Sequence, residues 1–158
     1  MRYLGLDLGT KTLGISVTDK TNTLVTPLDV LKFNSEDYES TLPKIKELTE
    51  KYNIKLIVLG YPKNMNGSVG FAGKRSESYK ELLEKEGYNV VLVDERLTTK
   101  TAIDLIHLNN DNVKNTKNKI DSIAASIILE SYLKGLEKWI YKTKKIKRLE
   151  NSTLLWVL

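Results

Sequence analysis

The first eighteen residues restrict the fold more than any other stretch. Residues 3–8 and 13–18 alternate in polarity and are rich in β-formers, and "GTKTLG" stands around the join with two glycines. That is the pattern of two antiparallel strands connected by a glycine-containing loop. Asp7 sits among the apolar residues of the first strand. A carboxylate there is costly to desolvate, so the fold has to compensate it with a hydrogen-bonded turn, a bound phosphate or a metal ion.

The rest of the chain extends this hairpin into an α/β pattern. A third run, "TLVTPLDVLKF", contains Pro27, which suits an edge strand or the first residues of one. "NSEDYESTLPKIKELTEKYN" predicts a helix with Asn34 or Ser35 as N-cap and Leu42, Ile45, Leu48 and Tyr52 at helical spacing. Pro43 moves the expected start of the regular helix to about Thr41, with the proline in its first turn. "KLIVLG" and "NVVLVDE" are apolar on both faces, as strands buried in a parallel sheet are. Between them "FAGKRSESYKELLEKEG" predicts a helix closed by Gly87 as its C′ residue.

Beyond the last strand, "LTTKTAIDLIHLNN" predicts a helix capped by Thr98 or Thr99. The polar "NDNVKNTKNK" predicts a mobile connection, and "IDSIAASIILESYLKGLEKWI" a strongly apolar final helix. Strands separated by helices imply right-handed parallel crossovers, and the three N-terminal strands an antiparallel meander. No internal repeat or second domain is visible. The expected domain covers 1–135, and 136–158 forms a basic C-terminal extension, either helical or a solvated tail.

Composition narrows the chemistry. The 158 residues suit one ordinary domain. The absence of cysteine excludes disulfides, thiolate zinc sites and cysteine nucleophiles, and fits a reducing compartment. A single histidine, His107, leaves little material for an acyl-transfer triad and reads as a packing or surface residue. No leader pattern opens the chain, and no apolar run approaches the ~20 residues of a membrane span. "TLLWVL" at the end is far too short. The expectation is a soluble cytoplasmic protein. A net charge of +5 favours a polyanionic partner, although a lysine-rich genome produces the same excess.

Three acids stand where strands end or the last helix begins. Asp7 closes the first strand, and Glu95 follows "NVVLVD" at the carboxyl end of a buried strand, where open α/β sheets place ligands. Asp121 falls in the expected first turn of the final helix, where Ala124 and Ala125 let that helix press on the sheet. Three carboxylates converging there raise one another's pKa unless a cation intervenes. Oxygen ligands without sulfur or imidazole select Mg2+ or Mn2+. A pair of such ions about 3.5–4 Å apart activates a water and stabilises a leaving oxygen. Taken singly, each acid has a plainer account. Asp7 could cap the Gly9–Thr10 amides, Glu95 could pair with Arg96, and Asp121 could answer a helix dipole. Asp19, Asp94 and Asp104 compete for the same roles.

"LGLDLGTKTLGISVTD", "IVLGYPKNMNGSVG", "VDERLTT" and "IDSIAASIIL" together resemble the YqgF/RuvX family of Holliday-junction-resolvase-like proteins and pre-16S rRNA nucleases. The resemblance covers Arg2 to about Leu133. It implies an RNase H-like fold, with a mixed five-stranded sheet flanked by helices. It also implies a metal-dependent nuclease whose acidic site matches Asp7, Glu95 and Asp121. The family more often has an apolar residue at Tyr61 and an acid at Asn66. On this reading Lys11, Lys63, Lys74, Arg75, Arg96, Lys117 and Lys119 stand near the site and grip phosphates, contacts that position a substrate without reading its sequence. Thr98 and Thr99 could bind phosphate or cap a helix. The partner is structured nucleic acid, either a ribosomal RNA precursor or branched DNA, and the chain acts as a monomer or homodimer.

Two other classes remain open from sequence. "GLDLGT" also resembles the first phosphate loop of sugar kinases and heat-shock ATPases, but those enzymes use two such domains and this chain has room for one. A catalytically weak nucleic-acid-binding assembly factor is the other, since fold does not establish activity.

Overall fold

The computed structural model describes residues 1–97 and 113–154. The hairpin is present as β1 (Arg2–Leu8) and β2 (Thr12–Thr18), closed by a 2.8 Å hydrogen bond from the Gly9 amide to the Thr12 carbonyl. β3 (Val25–Lys32) pairs antiparallel with β2 and forms one edge of the sheet. Its register shifts beside Pro27, so that Leu28 is the extra residue of a bulge, which is where a strand tolerates a residue without an amide hydrogen. β4 (Ile54–Tyr61) and β5 (Val90–Asp94) add in parallel beside β1, giving the order β3-β2-β1-β4-β5.

Among the described residues, three α-helices cover the two faces. α1 (Leu42–Tyr52) and α2 (Phe71–Lys85) bury Ile45, Leu48, Tyr79 and Leu83 against Leu4, Leu6, Ile15, Ile57 and Leu59. Thr41 and the Tyr79 hydroxyl, both buried, satisfy each other at 2.7 Å. α3 (Val113–Leu154) lies on the opposite face, where Ile128 and Leu129 meet Val58, with Tyr3, Val91, Val93 and Tyr132 around them.

α3 reaches that face because the strands beneath it are stripped of side chains. A Cβ at Gly14 would stand 2.5 Å from the Asp121 carbonyl carbon, and one at Gly5 would stand 2.8 Å from the Ala125 carbonyl oxygen. At Gly60 it would come within 2.6 Å of the Ile128 side chain. Three neighbouring strands thus form a smooth bed into which a helix sinks until backbone meets backbone.

The helix boundaries correct the sequence reading in two places. Neither Asn34 nor Ser35 caps α1. A 3₁₀ turn (Tyr38–Thr41) intervenes, and α1 starts at Leu42 with Pro43 in its first turn, because proline has no N–H to donate to a carbonyl of a preceding helical turn. The final helix already runs at Val113, so Asp121 sits in its third turn rather than its first. Polar residues without an apolar period give no helix signal, and residues 113–119 are of that kind. α2 ends as expected, with Gly87 at φ +91°. Of the helix expected over 97–110, Leu97 falls in a 3₁₀ turn, and the rest, with Thr98, Thr99, Asp104 and His107, lies outside the described residues.

Candidate active site

Alternation along β1 places Tyr3, Gly5 and Asp7 on the α3 face, and Asp7 pairs directly with Gly14 across the hairpin. Asp121 rests its backbone on that same Gly14, which brings its carboxylate into the field of Asp7. Glu95 begins the short 3₁₀ turn after β5 (Glu95–Leu97) and lies over Gly60, its carboxyl carbon 2.9 Å from where a Cβ would stand. The two glycines therefore do more than admit the helix. Each leaves the space in which an acidic residue rests.

The three acids are electrostatically joined in sequence. Burial, and then the Asp121 charge, raise Asp7 from 3.8 to about 6. Burial, followed by the charges of Asp7 and Asp94, raises Glu95 from 4.5 to about 8. These are the directions that desolvation and like charge impose on a carboxylate. Among the described residues no three acidic or histidine side chains draw close enough to form a ready-made metal cage. The structure shows a chain of two couplings, Glu95 to Asp7 and Asp7 to Asp121.

Asp94 and Arg96 sort out beside them. Arg96 forks onto Asp94, with Nη2 at 2.6 Å and Nε at 2.9 and 3.0 Å, and its amide donates to the same carboxylate at 3.0 Å. The sequence had offered Arg96 as a partner for Glu95 or a grip for phosphate. The fork commits Nε and Nη2 to Asp94 and holds that carboxyl below its usual range. Asp19 is likewise taken, by the amides of Thr23 and Leu24 in its own turn at 2.8 and 3.0 Å.

The remaining basic residues are spread around this end of the sheet. Lys63 stands over the Tyr61 ring at 5.1 Å and within the field of Asp94. Lys11, in the hairpin loop, and Lys74, in the first turn of α2, are exposed. Arg75 instead stands beside Tyr38, which packs with the α1–α2 core. The side chains of Lys117 and Lys119 lie outside the described part. Two residues escaped the sequence reading. Phe71 is 91% exposed at the start of α2 and Met65 is 87% exposed in the preceding loop. Phe71 falls off the buried stripe Gly73, Ser76, Tyr79 and Leu83, which is the signal that could have found it.

The raised values make a stability prediction. Glu95 holds its proton more tightly folded than unfolded, so its contribution is complete below about pH 4 and is lost as pH climbs through about 8. In chelator, Glu95→Gln is expected to melt level with the unsubstituted chain near pH 4 and progressively above it toward pH 9. A constant difference across that range, measured by thermal melts, would contradict the assignment.

A mixed sheet of this order, with half-buried acids at its strand ends, belongs to the RNase H-like class built as Holliday-junction resolvases are. The Thermus thermophilus RuvC solved in complex with Holliday junction substrate superposes with a TM-score of 0.52 at 11% identity, covering 84% of this chain and 96% of that one. The fowlpox virus Holliday junction resolvase gives 0.52 at 20% identity, over 85% and 99%. The chain itself belongs to the RuvX family, described as Holliday junction resolvase, whose profile matches residues 1–135. It is 43% identical over 138 residues to the Bacillus subtilis protein named "Putative pre-16S rRNA nuclease", covering 86% of this chain and 99% of the relative. A phytoplasma relative of the same name is 42% identical over 132 residues, covering 82% and 87%.

Proposed function

We propose that this chain is a divalent-cation-dependent nuclease that hydrolyses phosphodiester bonds in structured nucleic acid and trims the 5′ end of the 16S ribosomal RNA precursor. The observation that carries this reading is the coupling of Asp7 to both Asp121 and Glu95 on one face of the sheet. The donor set suits a hard cation. It is all oxygen, partly buried and mutually repelling, and a positive ion is what lets such carboxylates ionise together. Asp7, Glu95 and Asp121 would hold Mg2+ or Mn2+, which when bound supplies Lewis acidity to the attacking water and the leaving oxygen.

The protein's own part is positioning. Asp7 is fixed by the hairpin at the centre of the sheet, Glu95 approaches from the end of β5, and Asp121 is held by the helix that Gly14 admits. Lys11, Lys63 and Lys74 neutralise phosphates around the rim, and Phe71 and Met65 offer apolar surface to bases. Relatives at about 40% identity carry the pre-16S rRNA nuclease name, which favours RNA and a cytoplasmic place of action. The family's description keeps a four-way DNA junction as the second reading.

A side-by-side digest decides between them. A 16S precursor with its 5′ leader and a synthetic four-way junction are each incubated with Mg2+, with Mn2+ and with chelator, and the product ends are mapped. Cleavage of the precursor in metal alone is the expected result. Turnover that survives the chelator would remove the cation from the mechanism, and cleavage confined to the junction would establish the second reading.

A further inference from the structure

α3 does not stop where the family domain does. The family match ends at residue 135, whereas the helix continues to Leu154. Its course can be followed from its contacts. Asp121 lies over Gly14 near the acids, Ala125 and Leu129 over Gly5, and Tyr132 meets the Tyr3 ring at 5.9 Å near the start of β1. The helix therefore travels the length of the sheet and leaves it at the end opposite the acids. At 1.5 Å per residue, Lys138 to Lys145 lie roughly 25–36 Å along the helix from Asp121.

The charge of the chain is concentrated on this projecting part. Residues 134–148 hold seven basic residues and one acid, Glu137. Their net +6 exceeds the +5 of the whole chain, so the remainder is close to neutral. At helical spacing Lys134, Lys138, Lys142 and Lys145 form one ridge, with Tyr141 and Arg148 beside it. The other side carries Leu136, Trp139, Ile140, Thr143 and Ile146, in line with the stripe that Ala125 and Tyr132 press on the sheet. Beyond the sheet that stripe has lost its cover: Trp139 is 65% exposed, Ile140 44% and Ile146 46%.

We propose that residues 134–148 form a second nucleic-acid contact, an arm whose lysine ridge grips the phosphates of a duplex segment remote from the scissile bond while Trp139 stacks on an unpaired base. This deepens the nuclease reading and rests on it. Charge selects this occupant. A second copy of the arm would bring two surfaces of seven basic residues each together, with only Glu137 on each side to offset them, whereas a phosphate backbone answers the whole ridge. A flat indole with basic neighbours is also the equipment that binds single-stranded bases.

The test uses the full chain, in chelator so that nothing is cut, and a 30-base-pair RNA duplex with a single-stranded end. Binding is measured across a range of salt for the unsubstituted protein, for Lys138→Glu/Lys142→Glu/Lys145→Glu and for Trp139→Ala, each checked by circular dichroism. The triple variant is expected to bind at least about tenfold more weakly, with a salt slope shallower by roughly three. In Mg2+ it should cut a substrate too short to reach the arm at the unsubstituted rate. An unchanged slope overturns the proposal. So does a dimer that the triple variant dissolves in sedimentation, or a preference of the unsubstituted protein for phosphatidylglycerol vesicles over the duplex. Because binding is read without cleavage, a chain that cuts nothing yet shows the slope change fails the nuclease reading and keeps the arm.

Discussion

Asp7→Asn is expected to lower phosphodiester hydrolysis by roughly three orders of magnitude while making the metal-free protein more stable. The loss follows from its position, since among the described residues Asp7 alone couples to both Asp121 and Glu95. Removing a group that sets the charge at a reacting centre typically costs about 10²–10³ in rate, and a metal anchor no less. The gain follows from the same burial. Ionising Asp7 in the folded state, at about 6 rather than 3.8, costs on the order of 3 kcal/mol. The folded carboxyl is favoured below pH 4 and disfavoured above about 6. In chelator the variant should therefore match the unsubstituted chain at pH 4 and melt several degrees higher at pH 8. Added Mg2+ should raise the melting temperature of the unsubstituted chain and leave the variant nearly unmoved. Activity retained by folded Asp7→Asn, or a variant that is less stable at pH 8, would show Asp7 to be a structural turn acid.

Gly14→Val should be the most damaging single change outside the acids. Its Cβ would stand 2.5 Å from the Asp121 carbonyl carbon, and backbone cannot swing aside as a flexible side chain can. The helix has to lift off β2, carrying Asp121 away from Asp7. Overpacking ordinarily costs about 1–3 kcal/mol, and this case belongs at or above the upper end. The expected melting temperature falls by about 6–12 °C for a chain of this size. Catalysis should fall further than the folded fraction does. Gly135→Ala serves as the control, because nothing lies within 4 Å of the added carbon, and it should stabilise α3 by up to about 1 kcal/mol. A Gly14→Val protein with unshifted melting would refute the close seating of α3.

Much of the architecture was legible because it is written in local periods. The two alternating runs around "GTKTLG" specify a hairpin, and the unbroken apolar runs of β4 and β5 specify parallel strands, although β5 lies at the sheet edge with only Val90 buried instead of being covered on both faces. Gly87 marks the end of α2 for a reason that is also local, a positive φ. The start of α3 was not legible, since Val113–Lys119 lacks an apolar stripe. Nor was the fate of Arg96: Asp94 and Glu95 are adjacent in sequence, and only the turn after β5 decides which of them the guanidinium reaches.

What the amino-acid sequence determined by itself is the chemistry on offer. Oxygen donors are plentiful, thiolates are absent and imidazole is nearly so, and the positive excess is gathered on residues 134–148. Those are properties of residue type and order. What only the tertiary structure decided is which carboxylates feel one another. Desolvation and Coulomb repulsion depend on distance through space, and that distance is set by Gly14 and Gly60 giving up their side chains to Asp121 and Glu95.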